Sequence, residues 1–204
     1  MKDFWDTRYS EQGYAYGTEA NAFLISEASR LQPGMKVLVV GDGEGRNGVW
    51  LAQRGLEVTS VDYSVAGVER ARRLAAGRGV TLDSHCADMN DWRWPLEYFD
   101  AVVSIFVHFP SSQRVQMHAK MLAALRPGGV LIMEAFNKDQ LNYSSGGPPV
   151  EDALFSAALL AEDFGAAEIE LCQEQVVPLN EGKYHVGQGA VVRLIAHRGV
   201  NTSD

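Results

Sequence analysis

The sequence predicts an α/β fold of three layers, a doubly wound, mostly parallel sheet of seven strands that ends in an antiparallel strand pair. Three observations carry that expectation. After residue 35, short apolar runs bounded by glycines alternate with stretches of helical spacing. The first apolar run, "MKVLVV", opens directly into a glycine-rich bend. The last two segments, "AEIELCQEQVV" and "AVVRLIAHR", alternate with period two and are joined by a connection containing Asn180, Gly182 and Gly187.

Each element has its own signal. "GVWLAQRG" has helical spacing and a C-terminal cap at Gly55. "LEVTSVD" reads as the second strand. "SVAGVERARRLAAGRG" is a helix capped by Ser64, with Val65, Val68 and Leu74 near one face. "VTLDSHCAD" is the third strand, and "FDAVVSIFVHF" a fourth, apolar enough for a central place. "SSQRVQMHAKMLAALRPGG" is a helix with a Ser N-cap and a Pro-Gly-Gly stop, followed by the strand "VLIMEAF". "NKDQLNYSSGGPP" reads as a loop and "VEDALFSAALLAEDF" as one helix. In the terminal pair, Ala167, Ile169 and Leu171 share a face, as do Ala190, Val192, Leu194 and Ala196. The 204 residues suit a single domain, with residues 1–34 as an N-terminal helical cover over a core spanning 35–198.

Composition narrows the function classes. The formal charge of −8 repels polyanions, and no Lys/Arg block marks a nucleic-acid footprint. Arg70, Arg72 and Arg73 are expected on the solvated face of a helix. Cys86 and Cys172 lack metal-ligand spacing and make no disulfide framework, so no metal is expected and a cytoplasmic setting fits. "MKDFWDTRYSEQ" has no apolar signal core, and no run approaches the roughly 18 apolar residues of a bilayer span. The expected partner is a small molecule; oligomeric state is not readable.

In doubly wound sheets ligands bind beyond the carboxyl ends of the strands. The bend after the first strand holds two overlapping patterns, GxGxG from Gly41 and GxGxxG from Gly43. In dinucleotide folds the first glycine follows the strand and the third comes five residues later, where this chain has Arg46. The frame Gly41, Gly43, Gly45 fits without adjustment. Asp62 lies 21 positions past Gly41 (62 minus 41), where a carboxylate can accept ribose hydroxyls. Asp88, after the third strand, suits an adenine amino group.

Taken with "VDYS" (61–64), "HCADM" (85–89), "FDAVVSIFVHF" (99–109) and "LRPGGVLI" (125–132), this order resembles the class I S-adenosylmethionine-dependent methyltransferases, whose fold is Rossmann-like. "GEGRN", "SIFVHFPSSQR", "YSSGGP", "EGKYHVGQG" and the opening "WDTRYSEQGYAYGTEAN" are similar to a bacterial branch related to tellurite-resistance and thiol or thiopurine enzymes. The resemblance implies a methyl transfer from S-adenosylmethionine, with S-adenosylhomocysteine as product, to a small acceptor such as a thiol or a chalcogen oxyanion. It implies cofactor contacts from Gly41, Asp42, Gly43, Gly45, Arg46, Asn47, Asp62, Tyr63, Ser64, Asp88, Met89, Ile105 and Phe106. His108, Tyr184 and His185 are the catalytic candidates. Tyr14, Tyr16, Tyr143 and Arg114 are the candidates for the acceptor. Val39 stands where the family usually has an acid, and Asp42 and Glu44 are the candidates to replace it. The competing readings are an NAD-dependent oxidoreductase and a non-catalytic cofactor-binding protein.

Overall fold

The computed structural model describes residues 2–200, which carry six α-helices and seven strands. The strands form one mixed sheet in the order β3-β2-β1-β4-β5-β7-β6. The residues fall into two compact units. One runs up to Trp92 and includes Asn180–Val186; the other holds Arg93–Leu179 and the residues from Gly187 on.

The first unit contains α1 (Lys2–Ser10), α2 (Ala22–Ser26), β1 (Lys36–Val40), α3 (Arg46–Gln53), β2 (Glu57–Asp62), α4 (Val65–Gly77) and β3 (Asp83–Cys86). Val37 to Val40 of β1 are all buried, and the strand pairs in parallel with β2, Val40 opposite Val61. β2 pairs in parallel with β3, which covers only four of the nine residues expected to be strand. Ser64 caps α4 by accepting from the Gly67 amide at 3.1 Å, as its position predicts. Gly55, at φ +83°, ends α3 in the left-handed conformation, also as predicted.

The second unit contains β4 (Phe99–Ile105), α5 (Ser111–Ala124), β5 (Leu125–Phe136), α6 (Ala157–Asp163), β6 (Ala167–Glu181, whose last two residues belong to the first unit) and β7 (His185–Arg198, which begins there). β4 and β5 are parallel; β5 and β7 are antiparallel, with Phe136 opposite Val191. β7 was expected to alternate. Instead Ala190 to Val192 and Leu194 to Ala196 are all buried, because the strand lies inside the sheet between β5 and β6.

Four local expectations are corrected. The Pro-Gly-Gly stop after α5 belongs to β5, where the register with β4 shifts between Phe99 and Ala101. The cap of α5 is Pro110; Ser111 is the first helical residue, and its amide donates to Asp152 at 3.1 Å. The helix expected across "VEDALFSAALLAEDF" is broken. Glu151–Ala153 is a 3-10 turn, the fully buried Phe155 bridges to Asn137, and Ser156 starts α6 by accepting from the Leu159 amide. Core burial of Phe155 and the capping preference of serine outweigh helical periodicity there. Within the loop expected at 137–149, Lys138–Asn142 winds into a 3-10 turn.

α5 and α6 are joined by a buried polar cluster. Asp163 accepts from Arg114 Nε at 2.7 Å and lies 2.7 Å from His118 Nδ1. His118 is fully buried, stacked on Phe164 and edge-on to Phe155. Burial lowers its pKa, with the Asp163 hydrogen bond working against that shift. Removing the carboxylate strands a partly buried guanidinium and a fully buried imidazole donor. Asp163→Ala is therefore expected to cost about 3 kcal/mol or more of stability in urea unfolding at pH 7.

Candidate functional site

The candidate site is built from the carboxyl ends of β1 and β2, the glycine bend, the N-terminal segment and residues 181–185. The bend is possible only with bare backbone. Gly41, Gly43 and Gly45 have φ of +60°, +55° and +87°. A Cβ on Gly43 would stand 2.5 Å from the Tyr9 hydroxyl, and one on Gly45 2.6 Å from the Ala71 Cβ. This lets α1 and α4 pack directly on the loop.

Asp62, at the tip of β2, is buried. One oxygen accepts from the Gly43 amide at 2.8 Å and the other from the Ser64 amide at 2.8 Å. Burial raises its pKa, opposed by these backbone donors. Tyr63 is half-buried beside it. Ser64 donates to Asp6 of α1 at 2.5 Å, and the Ala66 amide reaches the same Asp6 oxygen at 3.3 Å. Asp88 folds into a local turn, accepting from the Asn90 amide at 2.9 Å, with Met89 half-buried next to it.

The two candidates for the missing acid separate. Glu44 is committed: one oxygen accepts from the Ala15 amide at 2.7 Å and the other pairs with Arg70 at 2.7 Å. Asp42 accepts from the Gly48 amide at 3.1 Å, bracing the first turn of α3, while its Oδ2 is buried without a hydrogen-bond partner. Burial, helped by nearby Asp62, pushes Asp42 up to about 7 despite the Gly48 amide. Arg70, expected on a solvated face, also donates to the carbonyls of Gly13 and Glu11 and so ties down the strap after α1.

A second cluster forms around Glu181, a residue the sequence reading did not single out. Its Oε1 accepts from Asn21 Nδ2 at 3.0 Å; its Oε2 accepts from Arg46 Nη2 at 2.9 Å and lies 3.1 Å from His185 Nδ1. Asn47 joins by accepting from the Asn21 amide at 3.0 Å. Burial alone would raise the Glu181 pKa; the His185 and Arg46 hydrogen bonds prevail and hold it at about 2. Burial lowers the His185 pKa, with Glu181 opposing and Arg46 and Arg8 assisting. Arg46 Nη1 is buried without a partner. The signal that could have found Glu181 is its spacing of four from His185 across a turn containing Gly182, at φ +66°.

Aromatic side chains cover this cluster. The Tyr16 ring lies 4.5 Å from that of His185, and its hydroxyl accepts from Arg8 at 3.1 Å. Tyr9 is buried and stacks on Trp5 at 5.4 Å; burial and neighbouring Asp62 push its phenol pKa well up. Tyr184 donates to the Glu11 carboxylate at 2.7 Å, with the Arg8 guanidinium 3.8 Å over its ring. Tyr14 packs with Val49, Leu74 and Ala75 rather than beside Tyr16.

The remaining expected residues lie in the second unit. Ile105 is buried at the end of β4, and Phe106 follows at φ +55°, stacked on Phe136. A non-glycine residue in that conformation costs roughly 1–3 kcal/mol and is held by its surroundings. His108 Nδ1 lies 2.8 Å from the Ala153 carbonyl, and its Nε2 accepts from the Phe136 amide at 3.3 Å. Both nitrogens are thus engaged with backbone, the geometry of a brace. Arg114 is engaged with Asp163, and Tyr143 is exposed in the loop after β5. Among the described residues no group of three His, Cys, Asp or Glu side chains has metal-holding geometry, and no helix is long and apolar enough to cross a membrane.

The geometry fits an adenosyl sulfonium donor in three respects: a loop a Cβ would fill, a carboxylate at the tip of β2 docked on that loop, and an unpartnered guanidinium N–H for a carboxylate. Residues 37–129 match a family model described as a methyltransferase domain. The chain is 33% identical over 119 residues to a sterol methyltransferase-like protein of Botryococcus braunii, covering 56% of this chain and 30% of that protein. It is 30% identical over 112 residues to a ubiquinone biosynthesis O-methyltransferase of Coxiella burnetii, covering 54% and 47%. The chain thus spans less than half the length of these curated relatives. Among solved structures it is similar to a protein studied for the conversion of a disulfide bond into a thioacetal group during echinomycin biosynthesis. That match has a TM-score of 0.80 and 22% identity, over 100% of this chain and 93% of that one. TehB of Haemophilus influenzae matches with a TM-score of 0.71 and 18% identity, over 97% and 66%.

The state of Asp42 has a measurable consequence. Its folded pKa, about 7, exceeds its ordinary 3.8, so its contribution to stability is fully present below pH 3.8 and is lost progressively as pH rises from there through 7. Asp42→Asn removes that loss. The melting temperature of the variant minus that of the wild type is expected to increase between about pH 4 and pH 7 and to level off above that.

Proposed function

We propose, for a chain whose fold and matched domain are those of the class I S-adenosylmethionine-dependent methyltransferases, that it transfers the cofactor's methyl group to a small acceptor with a soft nucleophile, a thiol or a chalcogen oxyanion. The observation that carries this reading is the glycine bend docked onto Asp62, with Arg46 opening α3 beside it. In this reading the backbone of Gly41, Gly43 and Gly45 and the Arg46 guanidinium receive the methionyl part. Asp62 takes the ribose, with Tyr63 and Ser64 beside it. Asp88 and the Met89 amide take the adenine, and Ile105 and Phe106 wall the cofactor.

The bound sulfonium supplies an already activated methyl group, so the chain's main task is placement. Holding a nucleophile in line with the S–CH3 bond contributes roughly 7–11 kcal/mol. Tyr16, Tyr184 and Arg8 form a polar, aromatic wall suited to a small ligand. Of the candidate bases, His108 has both nitrogens engaged with backbone and His185 has Nδ1 engaged with Glu181. The relative from echinomycin biosynthesis is one associated with sulfur chemistry, in keeping with the proposed acceptor class. The net charge of −8 argues against a nucleic-acid substrate, and we place the chain in the cytoplasm.

Titration calorimetry tests the cofactor part. S-adenosylmethionine is expected to bind at micromolar concentration. Asp62→Ala is expected to weaken it about 10- to 100-fold while circular dichroism stays unchanged. Binding of NAD(H) in place of S-adenosylmethionine would support the oxidoreductase reading instead. A screen with methyl-labelled cofactor against thiols, selenium and tellurium anions, and amines tests the acceptor class.

A further inference from the structure

We infer that the Tyr9 hydroxyl is a cofactor contact, a hydrogen-bond donor to the ribose received by Asp62. The inference rests on the methyl-transfer reading and adds to it a residue of α1, outside the motifs of the bend.

α1 is fastened at several points that do not involve the Tyr9 oxygen. Asp6 accepts from the Ser64 hydroxyl at 2.5 Å and from the Ala66 amide at 3.3 Å, at the start of α4. The Glu11 and Gly13 carbonyls, just past the helix, accept from Arg70. The Tyr9 ring stacks on Trp5 and meets Tyr16 edge-on. It fits a notch between two glycines: a Cβ on Gly67 would stand 3.0 Å from Tyr9 Cδ2, and one on Gly43 2.5 Å from the hydroxyl. The ring carbons make the stacking contacts, and a phenylalanine would make them equally.

The oxygen is what this packing leaves unexplained. Tyr9 is 6% exposed, and its hydroxyl has no hydrogen-bond partner among the described residues. Taking a hydroxyl out of water without a partner costs free energy, so a buried one that is kept calls for a use. This hydroxyl is aimed at the bend. It lies over Gly43, whose amide donates to Asp62 at 2.8 Å. Burial first, and then the charge of Asp62, push the phenol's pKa well up, with Tyr16, Glu44 and Asp42 adding to the rise. The phenol therefore keeps its hydrogen at neutral pH and is a donor. An ionised carboxylate only accepts, whereas a sugar hydroxyl both donates and accepts. A ribose at the tip of β2 can thus donate to Asp62 and accept from Tyr9. The Gly43 and Ser64 amides do not exhaust the acceptor capacity of the Asp62 carboxylate.

Tyr9→Phe removes the oxygen and keeps the ring. In the free protein, the variant's melting temperature is expected to equal or exceed that of the wild type, because no hydrogen bond is lost. In titration calorimetry, S-adenosylmethionine, S-adenosylhomocysteine and 5′-methylthioadenosine are each expected to bind the variant about 3- to 10-fold more weakly, since all three carry the ribose. A lower melting temperature of the free variant shows that the hydroxyl has a structural partner and overturns the inference. Unchanged affinity for the three ligands overturns it as well. Weakening confined to S-adenosylmethionine assigns the hydroxyl to the sulfonium, and weakening that spares 5′-methylthioadenosine assigns it to the amino-acid end; either result contradicts a ribose contact. A wild-type protein that binds none of the three sinks the methyl-transfer reading and the contact with it, whereas normal wild-type binding with an unaffected variant sinks the contact alone.

Discussion

The rest of the first unit depends on a backbone constraint: three left-handed glycines within five residues, immediately after a buried strand. Each such conformation costs a side-chain-bearing residue roughly 1–2 kcal/mol, and at Gly43 and Gly45 a Cβ would also collide. The bare loop therefore turns sharply enough to present the Gly43 amide to Asp62 and to start α3 at Arg46. It also leaves room for Tyr9 to lie against it. A reactive cofactor needs this kind of surface: backbone donors close at hand, no side chain in the way, and a carboxylate held in register by the loop itself.

Around the loop, buried charge is managed by pairing rather than by exclusion. Glu44 meets Arg70 and the Ala15 amide; Glu181 meets Arg46, His185 and Asn21. In a low-dielectric setting each such hydrogen bond strengthens, and each missing partner is costly. Those partnerships fasten the N-terminal strap and the tip of the last hairpin to the glycine bend. Asp42 is the exception. Its Oδ1 braces α3 through the Gly48 amide, while its other oxygen is buried without a partner and burial raises its pKa.

Much of this was legible in the sequence because the signals are local. The glycine bend, Asp62 at a strand tip, Ser64 as a cap and Gly55 as a helix end are each decided by a few adjacent residues and come out as expected. Asp88, Met89, Ile105 and Phe106 lie at strand ends, where the fold class puts them. The misses involve partners far away in the chain. Arg70 reads as a surface arginine until Glu44 and the strap at Gly13 are placed beside it. Arg114 looks available until Asp163, 49 residues on, takes its guanidinium. Glu181 was passed over because its partners Asn21 and Arg46 stand 160 and 135 positions earlier. The broken helix before α6 failed for a related reason: periodicity cannot register that Phe155 is needed in the core beside Asn137.

The most direct test of the account is a crystal structure of the protein with S-adenosylhomocysteine. The account predicts the nucleoside's ribose hydroxyls on the Asp62 carboxylate, the homocysteine end along the Gly41–Gly45 backbone, and its carboxylate on Arg46. A ligand seated elsewhere, with the glycine bend untouched, would contradict it.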